Sequence, residues 1–195
     1  MSEPRLIVGL GNPGKSYEKT RHNLGFLVID SIIKKLGVAF QPCSFSKGAE
    51  AKTVINGTTI FFFLPLTFMN NSGGALRLYI DKRSLALENI LVVCDDFNLG
   101  FGQLRLRRGG SDGGHNGLAS VIEQMGSSDI TRLRVGIGEP DKNADVADYV
   151  LTKFTKKEQD ALGGIIEEAS ECCLEWVHGD IEKVMSQFNK RMENE

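Results

Sequence analysis

The chain has four cysteines, at 43, 94, 172 and 173, and no two stand in a C-x-x-C spacing. A zinc knuckle or a dithiol redox motif therefore has no ligands to draw on. Cys172 and Cys173 are adjacent, an arrangement that rarely closes into a good disulfide, so all four read as reduced structural thiols in a cytoplasmic protein. No stretch approaches the roughly 18 apolar residues of a membrane span, and the opening MSEPRLIVG sets an acid and a proline before a short apolar run, which reads as no targeting segment and no membrane. An H-E-x-x-H pair and a Walker A sequence are missing, and no G-x-S-x-G nucleophile elbow is expected, so zinc, nucleoside triphosphate and serine chemistry lack their usual signatures. Net charge is also small, formally -2, with 23 Lys and Arg against 25 Asp and Glu. Its distribution is uneven: residues 1–138 hold 16 Lys and Arg against 11 Asp and Glu, and residues 139–195 hold 7 against 14. An anionic ligand would therefore find the first part rather than the tail.

At 195 residues the chain reads as one domain, 1–195, large enough to bury a substantial core. Arg5 to Leu10 is an apolar run ending in glycine, a buried first strand. Phe26, Ile29, Ile33 and Leu36 recur at helical spacing until Gly37, a first helix. Asn56-Gly57 between two β-rich runs marks a hairpin, because both turn positions need positive φ. Asn70 or Asn71 can cap a helix through Leu76, Tyr79 and Ile80, and Asn89 to Cys94 forms a central strand that delivers Asp95 at its carboxyl end. Gln103 to Arg107 alternates, with Leu104 and Leu106 on one face and Arg105 and Arg107 on the other, about 6–7 Å apart. A glycine-rich loop at 109–117 opens a helix through Leu118, Val121, Ile122 and Met125, followed by a strand at 133–137. Thr155 and Glu158 form a capping-box pattern for a long helix ending at Gly179, and Asp180 can cap a last one through Ile181, Val184, Met185 and Phe188. Strands interleaved with covering helices imply a three-layer αβα fold.

Gly9-Leu10-Gly11-Asn12-Pro13-Gly14 has the letters of a dinucleotide-binding turn, but Pro13 interrupts it and the next helical pattern begins only after KSYEKTRH. The glycines then do not open a helix onto a pyrophosphate, and no nucleotide cofactor is expected. Three histidines remain, His22, His115 and His178, the first two in polar loops, and they are accompanied by a set of loop asparagines, Asn12, Asn70, Asn71 and Asn116. Histidine can move a proton to or from water near neutral pH, and asparagine amides bind an uncharged amide or ester. Taken singly, Asn70, Asn71 and Asn116 read better as helix caps and Asn12 as a turn residue, and a lone histidine as a surface or helix-start residue.

The segments GLGNPGKSYEKTRHNLGF, PLTFMNNSGGA, ILVVCDDFNLGFGQLRLR, GGSDGGHNGLASVI and RLRVGIGEP, in this order, resemble the signature blocks of bacterial peptidyl-tRNA hydrolases. The resemblance covers most of residues 5–140; the last third resembles the family only in its helical pattern. It implies a single domain with a mixed twisted sheet, and metal-independent, cofactor-free hydrolysis of the ester in peptidyl-tRNA. His22 is then the general base toward water, Asp95 its orienting carboxylate, and Asn12 the discriminator between a peptidyl amide and a free amine. Asn70 would position substrate or water. Asn116, with the amides of the Gly113-Gly114-His115 turn, would hold the peptidyl part and donate to the oxyanion. Tyr17, Phe68 and Met69 would wall the site near the terminal nucleotide, and Arg105, Arg107 and Arg134 would meet tRNA phosphates, with Arg108 as a further cation nearby. A monomer is expected, and no obligate protein partner is implied.

The chain departs from the family pattern at Cys94, Phe97, Asn98 and Asp112, and an acid in the glycine loop could weaken phosphate binding. Two other functions fit parts of the sequence: a non-catalytic RNA-binding relative, which the fold also serves, and a general esterase, against which the Arg105 and Arg107 row argues.

Overall fold

The computed structural model describes residues 3–141 and 143–189. The expected domain, 1–195, therefore extends at residues 1, 2, 142 and 190–195 outside the described residues. In chain order the elements are β1 (Arg5–Gly9), α1 (Leu24–Leu36), β2 (Gln41–Pro42), β3 (Gly48–Ile55), β4 (Thr58–Pro65), α2 (Ser72–Arg83), β5 (Ile90–Asp96), β6 (Leu104–Arg107), α3 (Asn116–Met125), β7 (Thr131–Gly136), α4 (Val146–Val150), α5 (Lys156–His178) and α6 (Ile181–Phe188). The seven strands form one mixed sheet in the order β2-β3-β4-β1-β5-β7-β6. Strands β4, β1, β5 and β7 run parallel, while β2 and β3 at one edge and β6 at the other are antiparallel to their neighbours.

Alternate side chains of the parallel strands enter two separate cores. Ile7, Leu91, Val93, Leu133 and Val135 pack with α1, α5 and α6 on one face. Leu6, Val8, Val92 and Cys94 pack with α2 and α3 on the other. This is the expected three-layer αβα arrangement, and it explains why the central strands read as continuous apolar runs: both faces are covered.

The hairpin joins β3 to β4 through Asn56 (φ 48°) and Gly57 (φ 79°), and the Thr155–Glu158 capping box opens α5 as its residues require. Helix α1 is rotated slightly from the expected face. Val28, Ile29, Ile32 and Ile33 are buried, while Phe26 and Leu36 are only half-buried. The reason is Gly25, whose added Cβ would lie 2.4 Å from the Val93 carbonyl oxygen and 2.6 Å from the Leu10 backbone. Its missing side chain lets the first turn of α1 lie directly on the ends of β1 and β5. Gly9 serves the same approach, since a Cβ there would meet the Gly25 carbonyl at 2.5 Å. The glycines of the apparent dinucleotide motif thus pack helix against strand and turn the chain, and α1 does not start until Leu24.

Two expected caps differ. Asn71 holds the N-cap position of α2 without a side-chain capping bond, and α3 is capped by His115, whose side chain accepts from the Leu118 amide, leaving Asn116 as its first helical residue. The short elements β2 and α4 have too few residues to show a period.

Candidate active site

The chain leaves β1, returns to β4 on one side of it, and then crosses to β5 on the other, so the carboxyl ends of β1 and β5 diverge at a topological switch point. Such a crevice is where open α/β sheets bind ligands. His22 arrives there in a one-turn 3-10 helix, Arg21–Asn23, that leads into α1. Asp95 is the penultimate residue of β5.

Nδ1 of His22 lies 3.0 and 3.1 Å from the two carboxylate oxygens of Asp95, and Nε2 of His115 lies 3.0 Å from Oδ1 of the same group. The rings are 4.7 Å apart between centroids. All three residues are buried, with Asp95 only 1 % exposed. The donors can be assigned. Leu118 N–H donates to Nδ1 of His115 at 3.1 Å, so the proton of a neutral His115 ring is on Nε2 and is given to Asp95. A carboxylate only accepts, so Nδ1 of His22 carries its proton, and the lone pair of a neutral His22 ring is on Nε2. Burial pushes the Asp95 carboxyl up, but the charges and hydrogen bonds of His115 and His22 together outweigh it and hold the group well below the usual carboxylate range.

Among the described residues, His22, Asp95 and His115 are the grouping that could hold a metal ion. Their close contacts are those of a hydrogen-bonded chain: each histidine nitrogen facing Asp95 carries a proton, and the other ring nitrogen of His115 is spent on Leu118.

The glycine-rich loop that delivers His115 is tied down at several points. Asp112 Oδ1 accepts from Gly114 N at 2.8 Å, and the Asp112 carbonyl accepts from His115 N at 3.2 Å. Two of the three turn amides expected to face an oxyanion are therefore used within the turn. Arg132, 1 % exposed, donates to the carbonyls of Gly110 at 2.7 Å and Ser128 at 2.9 Å. Asn98 Nδ2 donates to Asp96 Oδ1 and to the Gly113 carbonyl. Residues 109–113, GGSDG, do match the letters G-x-S-x-G, contrary to expectation. They form no nucleophile elbow: Ser111 is exposed in a loop, its hydroxyl has no hydrogen-bond partner among the described residues, and α3 begins only at Asn116.

Asn12 sits beneath a second loop. Its backbone N–H donates to Asn23 Oδ1 at 2.8 Å, Asn23 Nδ2 donates to its carbonyl at 2.9 Å, and its Oδ1 accepts from Met69 N at 2.8 Å. Its Nδ2 is left without a partner among the described residues. The Asn12–Met69 bond orients the turn that carries Phe68, which is 60 % exposed, and exposed Asn70. Tyr17 is half-buried, and its backbone forms turns with Gly14 and Thr20.

A cavity of about 190 Å³ is lined by His22, Asp95, Phe97, Gly114, His115 and Asn116, closed by Val146, Ala147 and Val150 of α4. The structure thus gathers His22, Asp95, His115 and Asn116 into one cavity. It leaves Asn12, Tyr17, Phe68, Met69 and Asn70 on adjoining loops. Arg105 and Arg107 stand on the edge strand, opposite Arg134 and Arg132 in the ladder, with no partner among the described residues. Arg134 is 17 % exposed; its Nε faces Asp96 Oδ2 at 2.7 Å, and a Cβ on Gly113 would strike its guanidinium. Neither the α4 wall nor the His115–Asp95 bond was expected from sequence. Asp145, whose side chain caps α4, was the available signal for the wall.

The family model for peptidyl-tRNA hydrolase matches residues 6–195. The chain belongs to this family. It is 42 % identical to the peptidyl-tRNA hydrolase of Bacillus cytotoxicus over 185 residues, covering 95 % of this chain and 99 % of that one. The crystal structure of a peptidyl-tRNA hydrolase in complex with n-propanol superposes with a TM-score of 0.90 at 34 % identity, covering 98 % and 97 % of the two chains. That of the Acinetobacter baumannii peptidyl-tRNA hydrolase gives 0.89 at 35 % identity, covering 95 % and 94 %.

As a peptidyl-tRNA hydrolase, the chain accommodates its departures locally. Cys94 is fully buried, and burial pushes its thiol up, which makes it a packing residue. Phe97 lies against Gly114, where an added Cβ would meet its ring at 3.1 Å. Asn98 donates where an aspartate could not, and Asp112 closes the turn that presents His115.

Proposed function

We infer that this chain hydrolyses the ester joining a peptide to the terminal ribose of tRNA, releasing both, with His22 as general base. The observation that carries the mechanism is the double contact of Asp95 to His22 Nδ1 beside a small cavity, which leaves the His22 Nε2 lone pair for a water. Nε2 takes a proton as the water oxygen attacks the ester carbonyl. The Asp95 carboxylate stabilises the imidazolium that forms, and the His115 Nε2 proton keeps Asp95 oriented and ionised. The tetrahedral oxyanion meets the Asn116 amide and the unpaired amides at the head of α3. Collapse breaks the bond to the ribose oxygen, which recovers the proton from His22. Base and oxyanion donors are each worth about 10²-fold or more in rate.

Asn12 discriminates through what it has left to offer. Its Oδ1 is turned to the Met69 amide, and its Nδ2 donors are left for the substrate. A peptidyl carbonyl accepts from them; the ammonium of an aminoacyl-tRNA only donates and finds no acceptor. Asn70 positions the substrate, and Tyr17, Phe68 and Met69 border the terminal nucleotide. Unpaired Arg105 and Arg107 take backbone phosphate, with Arg134 beneath them. The catalytic chain is completed within one polypeptide, which fits a monomer working in the cytoplasm where tRNA is used. No helix among the described residues is long and apolar enough to cross a membrane.

The test is single-turnover cleavage of an N-acetylated aminoacyl-tRNA beside its unblocked counterpart. Selective cleavage of the blocked ester is expected. Tight tRNA binding with neither ester cut would instead mark an RNA-binding relative, and equal cleavage of small acyl esters a general esterase.

A further inference from the structure

Arg21 immediately precedes the base and has no part in the steps above, yet it is only 4 % exposed. Its backbone N–H donates to the Thr152 carbonyl at 3.0 Å. Its Nη1 donates to the Lys153 carbonyl at 2.6 Å, and its Nη2 to both oxygens of Glu158 at 2.9 and 2.8 Å. The guanidinium lies 4.7 Å from the centre of the Tyr149 ring and 5.1 Å from that of Phe154. Every one of these partners belongs to the end of α4, the start of α5 or the link between them.

Helix α4 has five residues, too few to hold its shape alone. Its Val146, Ala147 and Val150 nevertheless form one wall of the cavity beside His22. That wall is fixed to the sheet by the Tyr149 hydroxyl, which donates to the Ile137 carbonyl at 2.7 Å, and to the segment carrying the base by the Thr20–Lys153 bridge and the side-chain clasp of Arg21. We propose that Arg21 is a positioning residue of the hydrolysis: by clasping residues 149–158 it sets the α4 wall against His22 and so confines the attacking water. The proposal rests on the hydrolase reading above.

Glu158 allows a clean test, because it has two tasks. Its Oε2 also accepts from Thr155 N in the capping box of α5. Glutamine serves a capping box as well as glutamate does, so Glu158→Gln keeps the helix start and removes the ionic half of the clasp. Arg21→Lys keeps the charge but loses the planar fork and the ring stacking.

Both variants are measured with wild type by single-turnover cleavage of a blocked aminoacyl-tRNA over a range of enzyme concentrations, and by hydrogen exchange of the α4 amides. Expected is a fall of about tenfold or more in the limiting rate per folded molecule. Half-saturation should be unchanged within about twofold, because the clasp includes neither Arg105 nor Arg107, and residues 146–153 should exchange faster. Unchanged limiting rates with a lowered melting temperature would overturn the proposal, leaving Arg21 a stabiliser of the fold alone; so would unchanged exchange in α4. Failure of wild type to cleave the ester would refute the hydrolase reading instead, and the exchange data would still decide whether the clasp holds the wall.

Discussion

Asp95 receives two imidazoles, and what each residue contributes follows from which proton it has to give. Its folded-state pKa lies below the ordinary value because of His115 and His22, despite burial. Its stabilising contribution is therefore fully present above the unfolded carboxyl pKa of about 3.9 and is lost as pH falls through the lower folded value. Urea midpoints of wild type and Asp95→Asn should differ by a constant amount from pH 7 to about pH 5, the gap closing in stronger acid. Asp112 separates geometry from charge. Asp112→Asn keeps an oxygen for Gly114 N, so turnover should persist and tRNA affinity should rise, whereas Asp112→Ala should lose turnover; equal behaviour of the two in kinetic assays would contradict this. Burial pushes Cys94 and Cys173 up and Cys172 up to about 12, leaving Cys43 as the one cysteine expected to react with a thiol reagent in the native state. His22 and Asp95 stood out in the sequence only when read together with the surrounding blocks. The His115–Asp95 bond did not, because it depends on how Gly110, Gly113 and Gly114 curve the loop at positive φ, and letter spacing carries no curvature.

At the scale of elements, sequence periodicity located α1, α3 and α5 but not the side of α1 that faces the sheet. That side is decided by Gly25, a contact between backbones that no pattern of apolar side chains records. Gly25→Ala should destabilise the protein by about 3 kcal/mol, near the upper end for overpacking, since all the nearest atoms are backbone; urea unfolding measures it. Thr155→Ala removes a cap that was legible as a motif and should cost about 1 kcal/mol. The missed helix α4 is short and mostly exposed, and its importance comes from what it covers.

Over the whole molecule the charge asymmetry acquires a direction. Leu104 and Leu106 enter the core shared with acid-rich α5, so Arg105 and Arg107 project to the opposite face, away from the negative tail. Arg105→Ala should weaken tRNA binding and reduce the slope of log affinity against log salt by about 1. The fold class was legible because strands and helices alternate with buried strands between; the mixed twisted sheet was implied by the resemblance and is observed, while the strand order was not legible at all. What the architecture achieves is to bring a base from the loop after β1 and a carboxylate from the end of β5 to one switch point. The most direct test of that claim is the single-turnover rate of His22→Ala on a blocked aminoacyl-tRNA, with tRNA affinity measured on the same preparation. The account requires that cleavage be almost abolished while binding is retained; cleavage near the wild-type rate would contradict it.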